Sequence, residues 1–301
     1  MKRFIKYTFV FAAMVALTFI AGECIISSRP NSYKYKHRWM MENSSDVEVL
    51  ILGSSHGYYG LQPSALHARA FNLANHSQNF EYDYLLLQLY APLLRNLNTV
   101  ILPLSYCSLF DTRFEECADW WYAINYKKYM DIDVHSDFSK YNFEFCNLPV
   151  YSGRLIKVLS GGELPMCDSL GFGVGYTIPA RSATWKEDAQ MTVDRHTAAN
   201  WDAFDYNAGF FRKIAEFCNE RSINLVVVTL PAWHLYYNRL DDAQVEKMYQ
   251  TVNAMQREYG FRYLDYLRDG RFVEDDFYDV DHLSDVGALK FSSILKEDLG
   301  F

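Results

Sequence analysis

The chain has 301 residues, 50% of them hydrophobic, and a formal net charge of -8 at pH 7. That length accommodates one sizeable α/β domain, or a domain with a large insertion, and the apolar share excludes a disordered or fibrous protein. The acidic balance, with no clustered Lys/Arg stripe after the N-terminus, excludes nucleic acid as a partner.

The N-terminus comes first in chain order. Lys2, Arg3 and Lys6 precede an uncharged apolar run over residues 7–22, and Cys24, Ile25 and Ile26 prolong it past Glu23. This pattern predicts a signal anchor or transmembrane helix over residues 1–27. No small-x-small cleavage site follows, so an uncleaved anchor is favoured over a cleaved signal, and Glu23 spoils a lipoprotein reading. The expected placement is a single pass through the inner (cytoplasmic) membrane with the domain outside, in the periplasm. Lys34, Lys36 and Arg38 weaken the charge bias that would set this orientation. Residues 28–45 read as a polar linker.

From residue 46 the pattern is that of an α/β domain. Residues 47–52 form an apolar run ending at Gly53, as a buried parallel strand does. Residues 63–69 predict a short helix, 71–74 a second strand, 82–97 a helix and 99–104 a third strand. This alternation predicts a mostly parallel central sheet with helical crossovers. Over about 108–197 the periodicity is lost in a stretch rich in Tyr, Phe, Trp and Gly, expected to be an irregular insertion that covers or shapes a cleft. Regularity returns with a helix at 203–220, a strand at 223–230, a helix at 242–259, a strand at 262–266 and a closing amphipathic helix at 285–297. Aromatic residues make up 17% of the chain, which suggests an aromatic-lined cleft or a sticky surface as well as a core.

Cysteine usage leaves two readings open. Five cysteines follow the anchor, and one disulfide among Cys117, Cys146 and Cys167 competes with their being small buried hydrophobes. With no CxxC pair, no zinc or other metal site is expected, and no cofactor.

Two segments carry chemistry. In Leu50-Ile51-Leu52-Gly53-Ser54-Ser55-His56 a buried strand ends in Gly-Ser-Ser before a helix. That places a hydroxyl at the carboxyl end of a parallel strand, among the backbone N–H groups that an oxyanion needs. A plain helix-capping serine gives the same pattern. In Phe277-Tyr278-Asp279-Val280-Asp281-His282-Leu283-Ser284, an Asp and a His three positions apart can converge in a tight turn, so that the carboxylate orients the imidazole. Asp281 competes with Asp279 for that role. A solvated acidic loop with an incidental His is the alternative.

Taken together, Ser55 after the first strand and Asp279-x-x-His282 before the last helix resemble the SGNH (GDSL-type) hydrolase superfamily. Leu283 and Gly287 stand in the usual trailing positions. The Gly-Ser-Ser start resembles the membrane-anchored branch that includes the D-alanine transfer protein of teichoic acids and alginate O-acetylation proteins. The resemblance covers roughly residues 46–106 and 200–300. It implies a three-layer, flavodoxin-like sandwich and a serine esterase or acyltransferase with Ser55 as nucleophile, His282 as base and Asp279 as its orienting acid. It further implies an acylated or acceptor glycan of the cell envelope as substrate, and a membrane acyl-donor protein as a further partner. The second block of the family corresponds to Asn72-Leu73-Ala74-Asn75-His76-Ser77-Gln78, with Ser77 in place of glycine as a backbone donor. The third block lacks its Asn, so Ser105 or Asn75 would have to replace that donor. Loss of one such donor costs about 100- to 1000-fold in rate, and a catalytically impaired scaffold in a polysaccharide-modifying complex is the rival reading.

Other side chains are secondary. His56 lines the pocket or caps the following turn. His234 follows another strand and either contacts substrate or packs beside Trp233 and Tyr236. Trp120, Trp121, Tyr122 and Trp185 either stack on sugar rings or belong to the core. His196 reads as a surface residue.

Overall fold

The computed structural model describes residues 1–114, 116–117, 119–132, 142–164 and 166–301. The chain divides into two compact units: Met1–Tyr35 with Trp121–Met166, and Lys36–Trp120 with Cys167–Phe301.

In chain order the elements are α1 (Lys2–Ser28), α2 (Ser32–Asn43), β1 (Val49–Ile51), α3 (Ser55–Gly60), α4 (Pro63–Leu66), β2 (Ala70–Asn72), α5 (Phe80–Tyr90) and β3 (Thr99–Pro103). Then come α6 (Ala123–Tyr129), α7 (Leu148–Leu159), α8 (Ala189–His196), α9 (Phe204–Glu220), β4 (Asn224–Thr229), α10 (His234–Tyr237), α11 (Asp242–Tyr259), β5 (Arg262–Asp265) and α12 (Asp285–Leu299).

The larger unit is built on a five-stranded sheet in the order β2-β1-β3-β4-β5, every pairing parallel. This is the flavodoxin-like order, and its strand order reverses between β1 and β3. Strands buried on both faces need apolar residues at consecutive positions, and Val49, Leu50 and Ile51 supply them in β1. Alternation along the strands separates two cores. Val49, Ile51, Ile101, Val226 and Val228 join a cluster with Phe291 and Leu295 of α12, on the face where α12 packs on α3 and α4. The intervening residues point the other way, toward the face where α5, α9 and α11 pack together. The result is a three-layer α/β sandwich.

Helix ends follow local chemistry. Asp241 accepts the Gln244 N–H at 2.9 Å to start α11, and Gly260, at φ 73°, ends it. The helix expected over 82–97 stops at Tyr90, because Pro92 has no N–H to continue it. Residues 28–45 are not an open linker: most of them form α2, with Lys36 and Met40 fully buried. The insertion is more regular than its sequence suggests, since it holds α6, α7 and α8.

In the smaller unit α1 is long and apolar enough to cross a membrane. Its first two-thirds expose Phe4, Ile5, Phe9, Phe11 and Leu17. Its last third packs: Phe19 lies 5.6 Å from Phe145 and 5.7 Å from Tyr151, ring centre to ring centre. Glu23 accepts from Lys128 Nζ at 2.6 Å and from the Glu144 N–H at 3.0 Å. The six cysteines are all free, so no pair among Cys117, Cys146 and Cys167 is bonded.

Candidate active site

Ser55 opens α3 immediately beyond β1, at the carboxyl edge of the sheet and beside the reversal of strand order, where open α/β sheets carry their sites. The turn that presents it is specified by Gly53. Its φ of +101° lies in the left-handed region, and a Cβ there would come within 3.0 Å of the Pro103 ring. The Gly53 N–H donates to Asp83 Oδ1 at 2.8 Å.

Ser55 Oγ lies 2.8 Å from His282 Nε2. On the other side of the ring, His282 Nδ1 lies 3.0 and 3.1 Å from the two oxygens of Asp279. Asp279 Oδ1 also accepts the His282 N–H at 2.8 Å and the Asp281 N–H at 3.1 Å, which makes the Asp-x-x-His segment a closed turn. Ser284 caps α12 just beyond it by accepting the Gly287 N–H at 3.1 Å. Gly287 is needed because a Cβ there would fall 1.9 Å from the Asp276 carbonyl oxygen.

Asp281 lies on the same side of His282. Its Oδ1 is 3.5 Å from His282 Nδ1, and its Oδ2 is 3.3 Å from His56 Nε2 and 3.8 Å from His196 Nδ1. The His56 approach is off line, so Oδ2 has no well-formed hydrogen bond although the residue is buried. His56 stacks on His282, centroids 4.5 Å apart and planes 17° apart, and its Nδ1 lies 3.3 Å from Ser54 Oγ.

These contacts set the charges. Burial works against a charge on His282, but Asp279 and Asp281 outweigh it and hold the imidazole pKa well above its ordinary value. Burial likewise opposes ionisation of Asp281, and its histidine neighbours, His282 foremost, overcome this and keep the carboxyl well below its ordinary range. Burial, reinforced by His282, lowers His56. Burial also lowers His76 to about 4 and His196 to about 4.

The other expected residues fall in different places. Ser77 adopts φ +52° in the turn after β2, and its hydroxyl donates to Asp119 Oδ2 at 2.5 Å. Among the described residues its N–H has no partner within the chain. Asn75 is a correction: it is 1% exposed, and its amide donates to Leu73 O and to Gln78 Oε1. It braces the turn from inside and presents no donor to the site. Ser105 follows β3, where its N–H is taken by Ser108 Oγ at 2.9 Å. His234 is exposed at the start of α10, its ring 4.6 Å from Trp233. Trp185 is buried against Trp233, a core role. Trp121 lies on Tyr122 at 3.7 Å. His196 is not a surface residue: its Nδ1 bonds Tyr236 Oη at 2.8 Å, and Asp281 is its nearest charge.

Sequence reasoning missed several parts. Asp83 accepts from both Gly53 N–H and Gln78 Nε2, so one carboxyl group holds the turn before Ser55 to the turn after β2. Asn72 donates to the carbonyls of Gly57 and Leu61 and ties that second turn to α3. Tyr176, from the insertion, meets His282 edge-on at 5.2 Å and is sandwiched between Tyr59 (3.7 Å) and Tyr278 (4.0 Å). No local motif announced Tyr176; the aromatic richness of the insertion was the only signal.

His56, Asp281 and His282 also offer ligand atoms within 4.8 Å of one another. The two imidazoles stack almost in parallel, so their in-plane lone pairs do not converge on one ion, and both nitrogens of His282 are engaged. The arrangement fits proton transfer better than metal binding.

No family model matches the chain, and no curated protein matches it. Among solved structures it is similar to a GDSL-like lipase from Bacteroides thetaiotaomicron, at 11% identity over 90% of this chain and 98% of that one, with a TM-score of 0.41. A candidate acylhydrolase from Bacteroides fragilis is similar at 10% identity over 87% and 94%, TM-score 0.40. A candidate platelet activating factor from Streptococcus pneumonia is similar at 12% identity over 96% and 98%, TM-score 0.44.

Proposed function

We infer that this chain is a serine ester hydrolase or acyltransferase of the SGNH type, held at a membrane by α1 and acting on acyl groups of an extracytoplasmic glycan. One observation carries the reading: Ser55 Oγ, His282 and Asp279 form a continuous hydrogen-bonded relay, 2.8 Å on one side of the imidazole and 3.0 Å on the other. A hydroxyl is a poor nucleophile until a base takes its proton, and a base needs its second nitrogen held in the right tautomer. This relay supplies both.

His282 takes the Ser55 proton as Oγ attacks an ester carbonyl carbon. The tetrahedral oxyanion is met by the Ser55 N–H, one of the first-turn donors of α3 that have no acceptor within their helix, together with the Ser77 N–H. His282 then returns the proton to the leaving alkoxide, which departs as the alcohol and leaves an acyl group on Ser55. Water or an acceptor hydroxyl, deprotonated by His282, releases the acyl group and restores the serine.

The apolar length of α1 supports the membrane placement. The glycan rests on the resemblance of the Gly-Ser-Ser and Asp-x-x-His segments to the envelope-acylating branch, with a membrane acyl donor as the expected partner for transfer. The test is labelling of the full-length protein in detergent micelles with a fluorophosphonate. The wild type should react, and Ser55→Ala and His282→Ala should lose the signal by a factor of about 10³ or more. A folded wild type that does not react would sink the reading and favour the scaffold alternative.

A further inference from the structure

The Asp-x-x-His turn holds two carboxylates, and the structure brings both to one imidazole. Asp279 is the better aligned, at 3.0 Å from His282 Nδ1, but its side chain is one-third exposed. Asp281 is 3.5 Å from the same nitrogen and almost wholly buried. A buried carboxylate needs a counter-charge, and a charge acts more strongly where water is excluded. Among the described residues no Lys or Arg side chain pairs with Asp281. Its titratable neighbours are three imidazoles, those of His56, His196 and His282, of which only His282 is held toward its charged form.

We propose that Asp281 is a second positioning carboxylate for the catalytic imidazole, lying between His282 and His56, so that the site works with two acids where the motif supplies one. The inference rests on the serine-hydrolase reading above. The division of labour follows from geometry. Asp279 accepts the Nδ1 proton and fixes the tautomer. Asp281 adds a second, buried negative charge beside that of Asp279, and the two together favour the imidazolium formed when Ser55 gives up its proton. His56 stands beside Asp281 as a neutral partner: its Nε2 faces the carboxylate, its Nδ1 faces Ser54, and its ring covers one face of His282. The remaining groups that face His282 are Ser55 from α3 and Tyr176 from the insertion, with Tyr278 stacked behind Tyr176. His76 and His196 lie further out.

A purely structural Asp281 would affect stability alone. A positioning carboxylate also sets the pH at which the base becomes free. The experiment measures kcat/KM against pH for hydrolysis of p-nitrophenyl acetate by the full-length protein in micelles, for wild type, Asp281→Asn and Asp279→Asn. In Asp281→Asn the acid limb should move to lower pH by about one unit, because an imidazole that has lost a neighbouring negative charge gives up its proton more readily. The plateau should fall by about tenfold or more. A limb that stays in place while activity persists overturns the inference and leaves the hydrolase reading intact; a wild type with neither esterase activity nor fluorophosphonate labelling removes that reading itself.

Asp279→Asn, on the more exposed part of the turn, provides a second arm should Asp281→Asn fail to fold. With Asp281 still present it should lose only about 10- to 100-fold. A loss approaching 10⁴-fold, the size seen when the sole acid of a triad is amidated, overturns the two-acid assignment.

Discussion

Asp83 accepts the Gly53 N–H at 2.8 Å, although the two residues are 30 apart in sequence and belong to different layers of the fold. Because the same oxygen accepts from Gln78 Nε2 at 2.6 Å, the turns on either side of Ser55 share a single brace. Its other oxygen is buried with no hydrogen-bond partner.

That brace is pH-sensitive. Burial lifts the Asp83 carboxyl to about 7, above the roughly 3.9 of an unfolded Asp. A raised acid stabilises the fold fully at low pH, and the contribution is lost as pH rises from about 4 through 7. Asp83→Asn keeps the accepting oxygen and removes the titration. The variant should match wild type near pH 4 and exceed it at pH 8, by an amount on the order of 4 kcal/mol at most. Urea midpoints at the two pH values measure this, and parallel stability curves for the two proteins would contradict it.

Lys36 gives the opposite sign. It is fully buried over the Tyr58 ring, donates to the Ala74 carbonyl, and is lowered by burial to about 7. An unfolded lysine titrates near 10.4, so its burial costs stability below pH 7, and the cost fades as pH climbs toward 10. Lys36→Met should therefore stabilise the protein by about 1–3 kcal/mol at pH 6, after allowing for the unsatisfied Ala74 carbonyl. The advantage should shrink by pH 10. Thermal melts across that range decide the matter.

Gly53→Ala should damage the active site and the fold together. The backbone is at φ +101°, and the new methyl group would press on Pro103. A loss of about 1–3 kcal/mol is expected, with slower fluorophosphonate labelling at temperatures where the variant is still folded. Wild-type labelling by a folded Gly53→Ala would show that the turn tolerates a side chain.

The α1 helix should remain on the mature protein, because its last third is packed and Glu23 bridges Lys128 and the Glu144 N–H. Intact mass of protein taken from membranes should include α1; a species beginning beyond Ser28 would refute retention. Glu23→Ala should leave Lys128 without its carboxylate, with, among the described residues, only Ser27 Oγ to accept from it, costing about 2–3 kcal/mol locally, seen as faster proteolysis within Trp121–Met166.

The sequence was most readable where local chemistry is decisive. Asp241 and Gly260 punctuate α11, and its expected and observed bounds coincide. Val49–Ile51 reads as a buried strand because the apolar run is short, β-branched at both ends and stopped by Gly53. The spacing within each segment left a capping serine and a solvated acidic loop open, and it was the resemblance of the two segments together to the SGNH superfamily that paired Ser55 with Asp279 and His282. Long-range burial was not legible. Lys36 sits in a run of Tyr and Lys that looks solvated, and its burial depends on Ala74 and Tyr58. His196 follows Arg195 in a polar stretch, and its place beside the site depends on Tyr236, 40 residues away. No local pattern reveals such partners, because tertiary contact creates them.

Ser55 and His282 are separated by 227 residues, and four of the five strands, β2 to β5, lie between them in the chain. During synthesis the serine emerges well before the imidazole to which it is bonded. A nascent or prematurely terminated chain ending before Asp279 carries the hydroxyl without the means to activate it. On the proposed mechanism both segments are required, so any fragment that ends before Asp279 is chemically silent toward esters.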